Sequence, residues 1–236
     1  MSSGIQNRSR PLIAIVCHGA TSCERRSQYT NESYIRAVMS GGGSAILIPA
    51  IKDAIDIHSI VRMCDGLILT GSSSMVSPDR YGAEREEPNQ DLERDAISFG
   101  LAEIMIARRR PVLGICLGMQ ELNVLYGGSL QHLGDHGMHM RDVDWKDSTI
   151  FDHIHEVEIV SPGFGEMENK QSVISAHRQG IDRLGQSLTV AAVAEDGLIE
   201  AIMADPEGRV TGVQWHAEQL KAPIDQALFR NMLELA

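Results

Sequence analysis

A cysteine between a predicted strand and a predicted helix is the residue in this sequence best placed to act as a nucleophile. Cys116 is the centre of GICLG at residues 114–118, which follows an apolar run beginning at Val112. Glycines two residues before and after the nucleophile are typical of the nucleophile elbow, a strand-to-helix turn too sharp for a Cβ at either place. The helix N-terminus favours the thiolate, and the Leu117 N–H forms half of an oxyanion hole. The alternative is a small buried residue in a tight turn.

His216 and Glu218 could supply the base and the orienting carboxylate that a thiol nucleophile needs. The two residues lie two positions apart at the end of a predicted strand, so in an extended chain their side chains project from the same face. His216 can then reach the sulfur while Glu218 binds the far imidazole nitrogen. Such a pair alone is more often a surface feature, but its combination with the elbow favours a Cys-His-Glu site.

The segments around these residues predict a mostly parallel sheet covered by helices on both faces, because short apolar runs alternate with runs of helical period. The predicted parallel strands are Leu12–Val16, Ala45–Ile48, Gly66–Leu69 and Val112–Ile115. The predicted helices are Tyr29–Ser40, Asp91–Arg110, Leu117–Tyr126 and Pro223–Leu235. Loop 70–88, rich in Gly, Ser, Pro and Asp, directly follows a strand, where open α/β sheets place ligand-binding loops. We therefore expect an α/β protein of three layers, α/β/α.

Residues 130–170 have a looser pattern, with one convincing strand at His155–Val160, and predict a β-rich excursion from the sheet. Three further strands are predicted at Leu188–Ala194, Leu198–Ala204 and Val210–Gln214, with tight connections of hairpin type. Because no linker, repeat or low-complexity tract divides the chain, we expect one domain over residues 1–236, with 1–10 as a flexible lead.

Composition excludes several classes of function. There are 21 Lys and Arg against 32 Asp and Glu, a formal net charge of −11, which argues against nucleic-acid binding. No run approaches the roughly 18 apolar residues of a membrane span, and the N-terminus lacks a signal-peptide pattern. The four cysteines contain no CxxC pair, which is typical of reduced thiols and not of a disulfide framework. We therefore expect a soluble cytoplasmic protein with no membrane partner.

Three motifs resemble those of the class I glutamine amidotransferase superfamily: GICLGMQ at 114–120, GVQWHAE at 212–218 and LILTGSSSMVSP at 67–78. More specifically, the chain is similar to the γ-glutamyl-γ-aminobutyrate hydrolase branch, peptidase family C26. This resemblance covers nearly the whole chain and includes SAHRQ at 175–179 and DGLIEA at 196–201. It implies a flavodoxin-like fold of the glutamine amidotransferase type.

The resemblance also implies roles for individual residues. By position, Cys116 is the nucleophile, His216 the base and then the acid, and Glu218 the orienting residue. The other implied residues bind the oxyanion or the substrate, and they are Gly71, Ser72, Leu117, Gln120 and His177. Two positions depart from the family pattern. Ala217 replaces the usual proline, and Arg178 stands where a second histidine is common, which leaves the specificity for the amine side open.

The implied reaction is hydrolysis of a small γ-glutamyl amide through a glutamyl thioester, without a cofactor or metal. The amine released is γ-aminobutyrate or a polyamine, as in polyamine catabolism. A homodimer is compatible with this function. Acids of the excursion could attract a cationic amine, although a solvated acidic loop explains most of them equally well. These acids are Asp142, Asp144, Asp147, Asp152 and Glu156. The alternatives are a glutaminase subunit that delivers ammonia to a synthetase partner and a non-catalytic α/β scaffold.

A metal site is a further alternative, because His132, His136 and His139 have a spacing that a helix could bring together. Gly134 and Gly137 lie within the same run and disfavour a regular helix. We therefore expect loop histidines that line a substrate cleft, and no metal.

Overall fold

Residues 10–22, 25–84, 87, 89–134, 138–140, 147–165 and 167–236 are described by the structure, a computed structural model. The strands are β1 Leu12–Val16, β2 His18–Ser22, β3 Arg25–Tyr29, β4 Ser44–Ile48, β5 Gly66–Leu69, β6 Val112–Ile115, β7 Ser129–His132, β8 Ile154–Ile159, β9 Lys170–Ile174, β10 Gln179–Arg183, β11 Thr189–Ala194, β12 Ile199–Met203 and β13 Val210–Val213. The α-helices are α1 Glu32–Ser40, α2 Ile57–Met63, α3 Leu92–Ala107, α4 Leu117–Leu125 and α5 Pro223–Leu235.

One sheet of nine strands runs through this part of the chain in the order β4-β1-β5-β6-β13-β12-β11-β8-β9. The strands from β4 to β13 pair in parallel, and those from β13 to β9 pair antiparallel. The register of β6 on β13 places Ile115 opposite Val213, at the carboxyl ends of both strands. The segments that carry Cys116 and His216 therefore leave the sheet side by side.

Helices cover both faces of the parallel part of the sheet. Ile13 and Ile15 of β1 pack in one apolar cluster with α1 and α5, whereas Ala14 and Val16 pack in a second cluster with α2, α3 and α4. Alternate residues of a strand point to opposite faces, so a strand between two helix layers must be apolar at every position. The predicted three-layer α/β/α arrangement is confirmed.

The prediction that a helix begins at Tyr29 is wrong, because α1 begins at Glu32. Tyr29 ends β3 and pairs with His18 in the β2-β3 hairpin, which was not predicted from the sequence. The long helix is also shorter than predicted. Asp91 is its N-cap and accepts from the Arg94 N–H at 3.2 Å. Arg109 stops the helix with a φ of +57°, a left-handed conformation that α-helical residues do not adopt.

The predicted excursion from the sheet is only partly correct. Its strand at Ile154–Ile159 does not leave the sheet but pairs antiparallel with β11, and β9 pairs beyond it at the sheet edge. In the same region β7 pairs with β10 in a separate two-stranded sheet. The strands β7, β9 and β10 and the helix α2 were not predicted from the sequence. Asp142, Asp144 and His136 lie outside the described residues.

Cys17, Cys64 and Cys116 are buried free cysteines in the structure, and Cys23 lies outside the described part. Among the residues that the structure describes, no helix has both the length and the apolar character needed to cross a membrane.

Candidate active site

Cys116 lies at the turn between β6 and α4 with a strained backbone. Its φ is +53° and its ψ is −106°, a conformation that non-glycine residues rarely adopt and that marks functional turns. A Cβ on Gly114 would lie 2.5 Å from the Gly118 carbonyl oxygen, and one on Gly118 would lie 2.2 Å from that of Leu69. The two glycines therefore let α4 pack directly on the backbone of the sheet, which is the geometry of a nucleophile elbow.

The His216 and Glu218 side chains form a buried pair beside this turn. His216 Nδ1 lies 2.8 Å from Glu218 Oε1, and the two side chains are 7% and 0% exposed. The strand ends at Val213, earlier than predicted, and a short 3-10 turn at Ala217–Gln219 carries Glu218 back to the imidazole. The contact is thus made through a turn and not through an extended strand. Because Nδ1 faces the carboxylate, the other ring nitrogen, Nε2, remains available for chemistry.

Electrostatic interactions around His216 favour its protonated form. Burial lowers the pKa of His216, but Glu218 first and then Cys116 raise it, and the net pKa is well above its ordinary value. His216 Nε2 has no hydrogen-bond partner among the described residues. A Cβ placed on Gly71 would lie 3.1 Å from His216 Cε1 and 3.3 Å from Cys116 Cβ, so the imidazole and the cysteine flank the same glycine. The arrangement can support a thiolate paired with an imidazolium.

The loop after β5 places Gly71 and Ser72 beside Cys116. The Gly71 N–H donates to the hydroxyl of the buried Tyr34 at 2.8 Å, and the Thr70 hydroxyl donates to the Val16 carbonyl at 2.8 Å. The guanidinium of Arg94 donates to the Thr70 carbonyl. Three separate hydrogen bonds therefore fix the start of this loop against α1, α3 and the sheet.

The remaining residues predicted from the sequence line one cleft with Cys116. They are Ser72, Leu117, Gln120 and His177. Gln120 Nε2 donates to the Gln179 carbonyl at 2.7 Å and to Gln214 Oε1 at 3.1 Å, which fixes the amide group. Arg178 adds a cationic residue to the lining of this cleft.

Four residues near the site were not identified from the sequence. Tyr34 binds the Gly71 amide, and Phe151 packs on His216 with 4.8 Å between ring centroids. The carbonyl of Ala176 lies 4.0 Å from Cys116 Sγ. Arg94 is fully buried and pairs with Glu121 at 2.9 Å. Of these, only Arg94 carries a local signal, because a cation in the first turn of a helix opposes the helix dipole and requires a partner elsewhere.

A second group of polar side chains lies next to the cleft. His139, His177 and Glu200 are buried, and one possible metal-ligand atom from each lies within 4.8 Å of the others. The helix considered for His132, His136 and His139 is not formed by the described residues of that run: His132 ends β7, and Gly134 has a φ of +89°. Of the described histidines of that run, His139 belongs to the group and His132 does not.

The comparisons with known proteins agree on one family. The sequence profile described as Peptidase C26 matches residues 11–218. The γ-glutamyl-γ-aminobutyrate hydrolase of Escherichia coli O157:H7 is 33% identical over 220 residues, which are 89% of this chain and 86% of that protein. A Schizosaccharomyces pombe protein that is provisionally named a glutamine amidotransferase is 36% identical over 211 residues. These residues are 85% of this chain and 79% of that protein.

Solved structures agree at the level of the fold. A glutamine amidotransferase from Thermotoga maritima superposes with a TM-score of 0.61 at 18% identity, over 89% of this chain and 76% of that one. The predicted fold of the glutamine amidotransferase type is therefore confirmed. The profile match and the level of identity to a named hydrolase together show that the chain belongs to the Peptidase C26 family.

Proposed function

We propose that this chain is a cysteine-dependent hydrolase that cleaves γ-glutamyl amides. The observation that carries the proposal is the juxtaposition of Cys116, in the strained turn after β6, with the buried His216–Glu218 pair at the end of the adjacent β13. Membership of a family whose relatives include a named γ-glutamyl hydrolase supports the same reaction. In this proposal the single unit over residues 1–236 acts on a small molecule, and its cytoplasmic location and homodimeric assembly stay predictions.

The reaction follows from the positions of the groups. The Cys116 thiolate attacks the γ-carbonyl carbon, and the oxyanion that forms is bound by the Leu117 N–H and a second amide. Because the Gly71 N–H already donates to Tyr34, we assign the second amide to Ser72. His216 then protonates the departing amine, and the glutamyl group remains on sulfur as a thioester. His216 next removes a proton from water, which attacks the thioester and releases glutamate.

The cleft suggests which amine is released. Arg178 lines the cleft beside Gln120 and His177, and a guanidinium favours a substrate that carries carboxylates. Two of the acids proposed to attract a cationic amine have partners within the chain: Glu156 pairs with Lys170 at 3.7 Å, and Asp147 accepts from the Thr149 N–H at 2.8 Å. We therefore propose γ-glutamyl-γ-aminobutyrate, with a carboxylate at its amine end, in preference to a γ-glutamyl polyamine.

Release of glutamate by the purified protein tests this function. The substrates to compare at equal concentration are γ-glutamyl-γ-aminobutyrate, γ-glutamylputrescine, γ-glutamylspermidine and glutamine. We expect the highest kcat/KM for γ-glutamyl-γ-aminobutyrate. Faster turnover of the two polyamine conjugates would overturn the proposed specificity but not the reaction. Turnover of glutamine alone, and only with an added synthetase, would favour the glutaminase alternative.

Glu218 is expected to set the alkaline limit of activity. Its carboxylate raises the pKa of His216, so Glu218→Gln should lower that pKa and deprotonate the imidazolium at lower pH. The descending limb of kcat/KM at high pH should therefore move to lower pH in the variant, with kcat/KM reduced about 10²- to 10³-fold. Glu207→Gln, in the exposed turn before β13, is the matched control and should keep the wild-type profile. An alkaline limb that does not move in Glu218→Gln would exclude the proposed pairing.

A further inference from the structure

Three imidazoles surround a buried carboxylate beside the cleft. The histidines are His139, His155 and His177, with side chains 7%, 7% and 1% exposed, and the carboxylate of Glu200 is 0% exposed. His139 Nδ1 and His177 Nε2 each lie 3.4 Å from Glu200 Oε1, and His155 Nε2 lies 3.7 Å from Oε2. We call these four residues the His-Glu cluster. None of its members is part of the Cys116–His216–Glu218 triad, although His177 also lines the cleft.

The far nitrogen of two of these rings is already bound. His139 Nε2 lies 2.9 Å from Asp196 Oδ2, and His177 Nδ1 lies 3.2 Å from the carbonyl oxygen of Gln179. Both partners are acceptors, so these ring nitrogens carry the protons. In the neutral rings, His139 Nδ1 and His177 Nε2 then direct lone pairs at an anionic carboxylate. A cation is needed between them, and it is either a proton on each ring or a metal ion.

The distances favour the metal ion. Hydrogen bonds between charged groups of this kind are about 2.7–2.9 Å long, shorter than the 3.4 Å found here. A zinc ion with ligands at about 2.0–2.2 Å in a tetrahedron separates neighbouring ligand atoms by about 3.4 Å. Six ring and carboxylate atoms of the cluster have no hydrogen-bond partner within the described residues. These atoms are His139 Nδ1, both ring nitrogens of His155, His177 Nε2, and Oε1 and Oε2 of Glu200.

We propose that His139, His177 and Glu200 bind a zinc ion. Imidazole nitrogens and a carboxylate are ligands that zinc accepts. The hydrogen bonds from His139 to Asp196 and from His177 to Gln179 match the outer-shell partners that orient metal-bound histidines. This site departs from the expectation from the sequence that the protein holds no metal.

The position of the cluster suggests what the ion would do. Glu200 lies on β12, His177 two residues before β10, and His139 between β7 and β8, so one ion would join three separate segments. The neighbouring Ala176 carbonyl contacts Cys116 Sγ, and the Gln179 carbonyl accepts from Gln120. Zinc bound here would therefore fix the wall of the cleft and contribute to stability, without contacting the scissile bond.

Zinc and cobalt titrations test the site without any measurement of hydrolysis. Metal-depleted wild-type protein should compete with a chromogenic chelator for one equivalent of Zn²⁺. Bound Co²⁺ should give the intense visible d–d bands of a tetrahedral site without a thiolate-to-metal charge-transfer band. Cys116→Ser is the control for binding at the thiol and should bind Zn²⁺ as the wild type does. Glu200→Gln should weaken binding at least about 100-fold, because it removes the anionic ligand.

A milder variant covers the case in which Glu200→Gln does not fold. Asp196 is 44% exposed at its side chain, and Asp196→Asn should weaken Zn²⁺ binding about 10-fold by disturbing His139. Zn²⁺ should also raise the thermal midpoint of the wild-type protein more than that of Asp196→Asn. The proposal is overturned if the wild type binds no stoichiometric Zn²⁺, if Cys116→Ser abolishes binding, or if Asp196→Asn binds Zn²⁺ as tightly as the wild type. The cluster would then be a set of imidazolium–carboxylate ion pairs.

Discussion

Cys116→Ala is expected to abolish the release of glutamate from γ-glutamyl amides. Cys116 has the only nucleophilic side chain of the elbow, residues 114–118, so the variant has no atom that can form the thioester. We expect kcat/KM to fall about 10⁵-fold or more. Alanine keeps the Cβ and adds no volume to the turn, so the fold should be retained. The measurement is glutamate release at high enzyme concentration, with far-ultraviolet circular dichroism to verify folding.

Cys64 offers a matched control for this experiment. It is a buried free cysteine at the C-cap of α2, and it belongs to a different apolar cluster from Cys116, on the other face of the sheet. Cys64→Ala should retain hydrolysis, and iodoacetamide should label Cys116 in this variant and inactivate it. Undiminished hydrolysis by Cys116→Ala would remove the whole proposed mechanism, whichever amine the protein releases.

The parallel strands were predictable because burial on both faces leaves an unbroken apolar run, as in β1, β5 and β6, whose predicted limits are exact. The β2-β3 hairpin was not predictable, because its polar sequence contains no such run. Its contacts are remote in sequence: the Gly19 N–H donates to Asp91 Oδ2 at 3.1 Å, and Arg26 pairs with Asp91 Oδ1 at 2.9 Å. Local sequence cannot encode pairing with the start of a helix that lies far along the chain.

The same distinction between local sequence patterns and contacts remote in sequence applies to the site. The elbow and the His216–Glu218 spacing are local patterns, so these residues could be predicted from the sequence. Their meeting depends on the register of β6 on β13, which no local pattern specifies. The contact of Phe151 with His216 likewise depends on chain segments that meet only after folding. For the His-Glu cluster the local pattern points only to the neighbouring histidines 132, 136 and 139, whereas the structure joins residues from four distant segments.

Gly118→Ala is expected to prevent stable folding. The new Cβ would lie 2.2 Å from the Leu69 carbonyl oxygen and 2.7 Å from the Leu69 Cβ. Because Leu69 ends β5, which pairs with β1 and β6 inside the sheet, its backbone cannot move away without breaking ladder hydrogen bonds. The cost should exceed about 4 kcal/mol, a large part of the roughly 5–15 kcal/mol that stabilises a typical domain.

Gly127→Ala separates this steric effect from the loss of a glycine as such. Gly127 follows α4 with a φ of +81°, and a Cβ there would meet no atom within 4 Å. Alanine should cost only about 1 kcal/mol at this position, from backbone strain. Urea unfolding followed by circular dichroism should therefore give a small decrease in midpoint for Gly127→Ala and little or no folded protein for Gly118→Ala. Equal midpoints would mean that α4 does not pack directly on the backbone of β5, and the strained turn that presents Cys116 would lose its physical basis.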